Sequence, residues 1–202
     1  MQTEGAVRTH GWAGALPAND DDARRQIVET TGALLDEGAD LSMIQVARAV
    51  GISRQTLYRY YPNIDSLLQD AADRASIQLL DALTTCVAGL HDPADAVVEA
   101  LAFVVDQLTT RPRFTALFGH SDADVFSAIT SDAANARARD VLRTFDVDWR
   151  RHGWSDDDLS ALGEHVLRTL QSFVLAPGSP ERTAAQLRAY LRRWVAPAVR
   201  AH

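Results

Sequence analysis

Seven consecutive residues, Arg54-Gln55-Thr56-Leu57-Tyr58-Arg59-Tyr60, hold side chains with one shared chemistry. Arg and Gln make paired hydrogen bonds to the edges of guanine and adenine, the Thr methyl packs on thymine, and Tyr hydroxyls suit phosphate oxygens. Wound as a helix with Leu57 and Tyr61 facing a core, the segment presents Arg54, Gln55, Thr56, Tyr58, Arg59 and Tyr60 outward. We assign base readout to Arg54, Gln55 and Thr56. Between Leu41 and Pro62 the chain has Arg48, Arg54 and Arg59 but no Asp or Glu, so positive charge collects here although the whole chain carries −7. That balance argues against indiscriminate coating of nucleic acid and for one local contact.

Such residues need rigid placement, and the flanking sequence supplies it. Asp20-Asp21-Asp22 suits a helix N-terminus, and Ile27, Thr31, Leu34 and Leu35 continue that helix to Gly38. Ser42 and Gln45 read as a capping box for a short second helix ending near Ala49. Val50-Gly51-Ile52 is a turn, Ser53 caps a third helix through Tyr60, and Pro62 stops it. In the spacing Ala47-x3-Gly51-x5-Leu57, Ala47 permits a close helix crossing, Gly51 supplies a left-handed turn and Leu57 packs inward. The pattern is a helix-turn-helix; the plainer alternative is a helical hairpin whose arginines and tyrosines form a solvated face.

Ile27 to Leu68, above all Gly51-Ile-Ser-Arg-Gln-Thr-Leu-Tyr-Arg-Tyr-Tyr61, resembles the DNA-binding domain of the TetR family of bacterial regulators. The resemblance implies that Tyr58 and Tyr60 contact phosphate and that Ser42 and the helix start at Asn63 clamp the backbone. It also implies a Lys just after Asn63, where this chain has Ile64. With Ser53 and Arg59, these residues make up the expected DNA-binding set. The family architecture further implies a long linking helix, a variable helical ligand domain and two final helices that pair in a homodimer. Partners would then be a near-palindromic double-stranded operator, a second copy of the chain and a small-molecule effector.

The remaining sequence fits an all-α fold. Asn63 caps a long fourth helix with Leu67, Leu68, Ala71, Ile77, Leu80 and Leu83, extending toward Gly89. Asp92-Pro93 opens a helix apolar nearly all round, which must be buried centrally. A short helix around Phe114 to Phe118 and a longer one from about Asp124 to Arg151 follow. Ser155 heads a helix closed by Pro177-Gly178, and Ser179-Pro180-Glu181 opens the last one, to about Val199. We expect a flexible arm over 1–20, a helix-turn-helix domain over 21–68 and an effector-binding and dimerisation domain over 69–202. Phe103, Gln107, Phe114, Phe118, Trp149 and Phe173 are the candidate effector pocket. The candidate dimer face is Leu162, Val166, Leu170, Leu187, Tyr190, Leu191 and Trp194, because helices apolar on two sides need two partners.

Other classes find little support. The longest apolar stretches are too short to span a membrane, and residues 1–16 lack the apolar run of a secretory signal, so a cytoplasmic location is expected. Cys86, the single cysteine, reads as a small packed residue. All 20 basic residues are Arg, a usage of GC-biased bacterial genomes. The six histidines, at 10, 91, 120, 152, 165 and 202, show no metal-ligand spacing. His120-Ser121-Asp122 has triad residue types in consecutive loop positions, without triad geometry. With no Gly-rich phosphate loop, neither a cofactor nor an enzymatic activity is expected. The alternatives kept open are a helical protein-interaction module and, less well supported, an all-α enzyme.

Overall fold

The computed structural model describes residues 12–14, 16–39, 41–118 and 131–201. Among them the chain is all α-helical, in two compact units that meet after Ala75. No helix of the described residues is long and apolar enough to cross a membrane.

The first unit holds α1 (Asp20–Asp36), α2 (Met43–Val50), α3 (Arg54–Tyr60) and the start of α4 (Ile64–Val87). The α1 cap is Asn19, whose Oδ1 accepts from the Asp22 N–H at 2.8 Å, with three aspartates in the first turn. Ala23, Ile27, Val28, Thr31 and Leu35 form its buried stripe, and Thr31 satisfies its hydroxyl on the Ile27 carbonyl at 2.8 Å. Gly51 ends α2 at φ +76°, the left-handed conformation in which its N–H reaches back to α2 carbonyls. The Ser42 box is half made: the Ser42 hydroxyl accepts from the Gln45 N–H, but donates to Gln45 Oε1 at 2.8 Å instead of leaving that side chain to reach the Ser42 backbone.

The arm before α1 departs from expectation over its described part. Trp12–Gly14 form one 3-10 turn, the Trp12 N–H donates to the Gly51 carbonyl at 3.1 Å, and the indole meets the Tyr60 ring edge-on at 6.2 Å. A bulky aromatic finding a partner on the helix-turn-helix overrides the loop-like composition around it. Residues 1–11 of the expected arm lie outside the described residues.

The second unit contains the rest of α4, then α5 (Pro93–Thr110), α6 (Pro112–Phe118), α7 (Asp132–Arg143), α8 (Asp156–Leu175), α9 (Ala184–Trp194) and α10 (Ala196–Arg200). As its all-round apolar pattern requires, α5 is central: it packs against α6, α8, α9 and α10 and buries Val97, Val98, Leu101 and Val105. Glu99, on its rim, takes Arg188 and Arg192 of α9, both at 2.7 Å. Close packing joins α7 to α8, where a Cβ on Gly163 would stand 3.2 Å from both Ala138 Cβ and Arg139 N.

Two helix boundaries differ from the sequence reading. The expected helix to Arg151 ends at Arg143, because Phe145, Val147 and Trp149 fold back as core and the Trp149 indole N–H donates to the Leu142 carbonyl at 2.9 Å. Its expected beginning, 124–130, lies outside the described residues. The last helix starts at Ala184, capped by a Thr183–Gln186 box, and breaks at Val195, since Pro197 cannot continue it and starts α10 instead.

Gly51→Ala should cost about 1–2 kcal/mol, the strain of a Cβ in left-handed geometry. Amide exchange in α2 and α3 should then quicken about 5–30-fold while α5 keeps its protection.

Candidate functional site

Three residues hold α3 against the rest of the first unit. Leu57 is fully buried, and Tyr60 and Tyr61 follow at its C-terminal end. Arg24 of α1 donates to the Tyr60 carbonyl at 3.1 Å, and its guanidinium lies over both tyrosine rings, 5.8 and 5.4 Å from their centroids. The Tyr61 hydroxyl donates to Asp70 of α4 in a short hydrogen bond. Burial, then the bond to Asp70 and its negative charge, pushes the Tyr61 phenol far above its ordinary range, so it stays a donor.

With that side occupied, the outer surface of α3 is narrower than its sequence suggests. Arg54, Gln55, Tyr58 and Arg59 are exposed, Tyr58 by 51% of its surface. Thr56 is half-buried, and its hydroxyl pairs with Ser53 Oγ at 2.8 Å while that same oxygen caps α3 by accepting from the Thr56 N–H at 3.0 Å. Tyr60, expected outside, is 8% exposed: its hydroxyl donates to Asp20 Oδ1 at 2.9 Å and accepts from Arg59 Nη2 at 2.8 Å. Asp20, forty residues earlier, is the partner that turns it inward.

The flanking positions are caps. Asn63 Oδ1 accepts from the Ser66 N–H at 2.8 Å, fixing the first turn of α4, and Ile64 beside it is half-buried. Ile44, a side chain the sequence reading did not single out, stands 50% exposed in the first turn of α2. It shares the outward face of α2 with exposed Arg48 four residues on, while Met43, Val46, Ala47 and Val50 form the buried stripe.

The second unit contains a partly open cavity of about 230 Å³. Leu80 and Leu83 of α4, Leu101 and Val104 of α5, Val141 of α7 and Leu170 of α8 are among its walls, and among the described residues Arg137 is the one charged residue on them. Of the six residues expected to form a pocket, the five whose side chains are described, Phe103, Gln107, Phe114, Trp149 and Phe173, do not line this cavity. Phe114 and Trp149 are core, Phe103 packs half-buried against that core, Gln107 donates to Asp106 at 3.4 Å, and Phe173 meets Tyr190 edge-on at 5.6 Å. The side chain of Phe118 lies outside the described residues, as do His120, Ser121 and Asp122. Wall residues such as Leu101 and Val141 carry the same sequence signal as core, so residue type alone does not single them out.

The expected dimer face divides in three. Leu162, Leu187 and Leu191 are buried within the chain, Val166 and Leu170 line the cavity, and Tyr190 and Trp194 are exposed, Trp194 by 62%. On α8 the outward stripe is Ala161, His165, Arg168, Ser172 and Leu175. Cys86, expected as packed, is exposed; partial desolvation and nearby Glu99 push its thiol up and leave it a weak nucleophile. Among the described residues no cluster of His, Cys, Asp or Glu is suited to hold a metal ion.

Comparisons with known proteins agree with this geometry. Residues 21–63 match the helix-turn-helix domain of resolvase. The chain is 26% identical to the HTH-type transcriptional regulator AlkX of Mycobacterium tuberculosis, over 80% of this chain and 77% of that one. A second HTH-type transcriptional regulator of that organism is 25% identical over 80% and 76%. Among solved structures, the TetR family repressor AlkX from Dietzia sp., implicated in biodegradation of n-alkanes, superposes with a TM-score of 0.57 at 22% identity, covering 88% of this chain and 95% of that one. BioQ gives 0.55 at 21% identity over 89% and 98%. The fold of this chain is that of the TetR-family repressors.

Tyr60→Phe should cost about 1 kcal/mol of stability by leaving Asp20 and Arg59 without their shared hydroxyl. Thermal unfolding should show the loss, whereas Tyr58→Phe, at an exposed ring, should leave the melting temperature unchanged.

Proposed function

We propose that the chain is a DNA-binding transcriptional regulator of the TetR family, a repressor that occupies a near-palindromic operator as a homodimer and leaves it when a small molecule enters the second unit. One observation carries this reading: α3, capped by Ser53 and anchored by Leu57 and Tyr61, holds Arg54, Gln55, Tyr58 and Arg59 on one exposed side with no acidic residue between Leu41 and Pro62. The relatives' names, regulators and repressors, support the same class.

In this reading the first unit enters the major groove with the N-terminal half of α3, as helix-turn-helix proteins do. Arg54 and Gln55 read base edges, the Thr56 methyl meets thymine, and Tyr58 and Arg59 bind phosphate. Ser42 and Asn63 act through their caps, which aim backbone N–H groups at the phosphates. Tyr60 serves as the support of Arg59 rather than as a contact. The cavity of the second unit holds the effector, which is bound and not transformed. Since α4 runs from its Asn63 cap in the first unit to the cavity wall at Leu80 and Leu83, a ligand there acts on a helix shared by both units. The dimer face is the outward stripe of α8 together with Tyr190 and Trp194 of α9.

Fragments of the source genome selected by the purified protein, then footprinted, test the reading. Protection should fall on two related half-sites about one helical turn apart, roughly 34–36 Å, or a multiple of it; protection of single unpaired sites would count against a dimer on a palindrome. On that operator, Arg54→Ala should cost about 1–3 kcal/mol at particular base pairs only. Uniform weakening across a panel of single-base variants would remove Arg54 from base readout. Trp194→Asp, at a position exposed in the single chain, should yield a folded monomer by light scattering, because it buries an unpaired charge in the interface. An unchanged dimer would move the interface elsewhere.

A further inference from the structure

We infer that the cavity of the second unit binds a medium-chain carboxylate, its hydrocarbon tail among Leu80, Leu101, Val104 and Leu170 and its head group on Arg137. This rests on the effector reading above and adds the chemical class of the effector.

The walls set the tail. Apart from Arg137, every lining side chain among the described residues is aliphatic or phenyl, so a ligand with polar groups along its length would lose its bonds to water and gain none from them. Drug-sized ligands occupy pockets of about 300–1,000 Å³. At about 230 Å³ this one holds a ligand smaller than that, of the bulk of a medium-length hydrocarbon chain.

Arg137 sets the head. It is exposed, and it lies where the apolar cavity adjoins an open groove of about 500 Å³, the two sharing Leu80, Arg137 and Val141. Among the described residues no carboxylate lies within ion-pair distance of it, although its neighbours on α7 are paired: Arg139 with Asp140, and Arg143 with Asp140 and Asp156. A guanidinium at the rim of a hydrocarbon cavity matches an amphiphile whose anion stays in water while its tail is buried. The groove also carries Asp81 and Asp140. Asp140 is offset by its two arginines, but Asp81 opposes additional negative charge, which favours a singly charged carboxylate over a phosphate dianion.

Isothermal titration of the full chain with decanoate and with 1-decanol, which has a similar tail and no charge, tests this directly. Decanoate should bind about tenfold more tightly, a difference of about 1.4 kcal/mol. Arg137→Gln, at an exposed position, should erase that difference and keep decanol binding, while Val104→Trp should block both ligands in a protein that still melts cooperatively. Equal binding of the two by the unaltered chain, full decanoate affinity in Arg137→Gln, or no binding of either would overturn the inference. A parallel operator titration separates the two readings. Decanoate that binds through Arg137 but leaves the DNA complex intact upholds the ligand class and refutes the effector role.

Discussion

Seven residues cannot sustain an α-helix in water, where isolated helices shorter than about 12–15 residues are marginal. The helix α3 therefore exists because something outside it holds it, and the rest of the first unit is arranged to do so. Leu57 contributes about 1.5–3 kcal/mol by full burial, Ser53 satisfies an N-terminal amide, and Arg24 takes the C-terminal carbonyl of Tyr60. Only then can the remaining side chains be spent on the outside. The division of labour within one short helix, with Leu57 and Tyr61 inward and Arg54, Gln55, Tyr58 and Arg59 outward, follows from that shortage of self-stabilisation.

The second unit solves a different problem. Its helix α5 is apolar on every side and has to be surrounded, and α6, α8, α9 and α10 supply the surround. Helices wrapped around a common axis meet it unequally, and where α4, α5, α7 and α8 do not close completely an apolar void remains. Its walls are hydrocarbon, so the space is under-packed core. The close approach at Gly163 keeps α7, the helix that carries Arg137, tight against α8 at the edge of that void.

What could be read from the sequence was chiefly what is local. Asn63, Asp92 and Ser155 act within three residues of themselves, and each caps the helix that it was expected to cap. Gly51 likewise announces a turn by its own backbone freedom. The misses share a longer reach. Tyr60 is drawn inward by Asp20, and α7 stops at Arg143 because an indole returns from Trp149 with neither Gly nor Pro to mark the place. The walls of the cavity escaped notice because residues around a void and residues around a neighbour obey the same periodicity. For the dimer face, a helical stripe records that a side is covered and not by which chain; Leu162, Leu187 and Leu191 are covered by their own.

The hydrogen bond from Tyr61 to Asp70, with Arg24 over both tyrosines, has a mechanical consequence. Pro62 and Asn63 would otherwise act as a hinge between α3 and α4. The bond spans that hinge from one residue before it to the second turn of α4, and the protonated phenol keeps the brace in place throughout the physiological pH range. The α3–α4 corner thus has little compliance of its own. A tilt of the first two turns of α4 is transmitted to α3 as a rotation of the whole corner, not absorbed as bending at the proline.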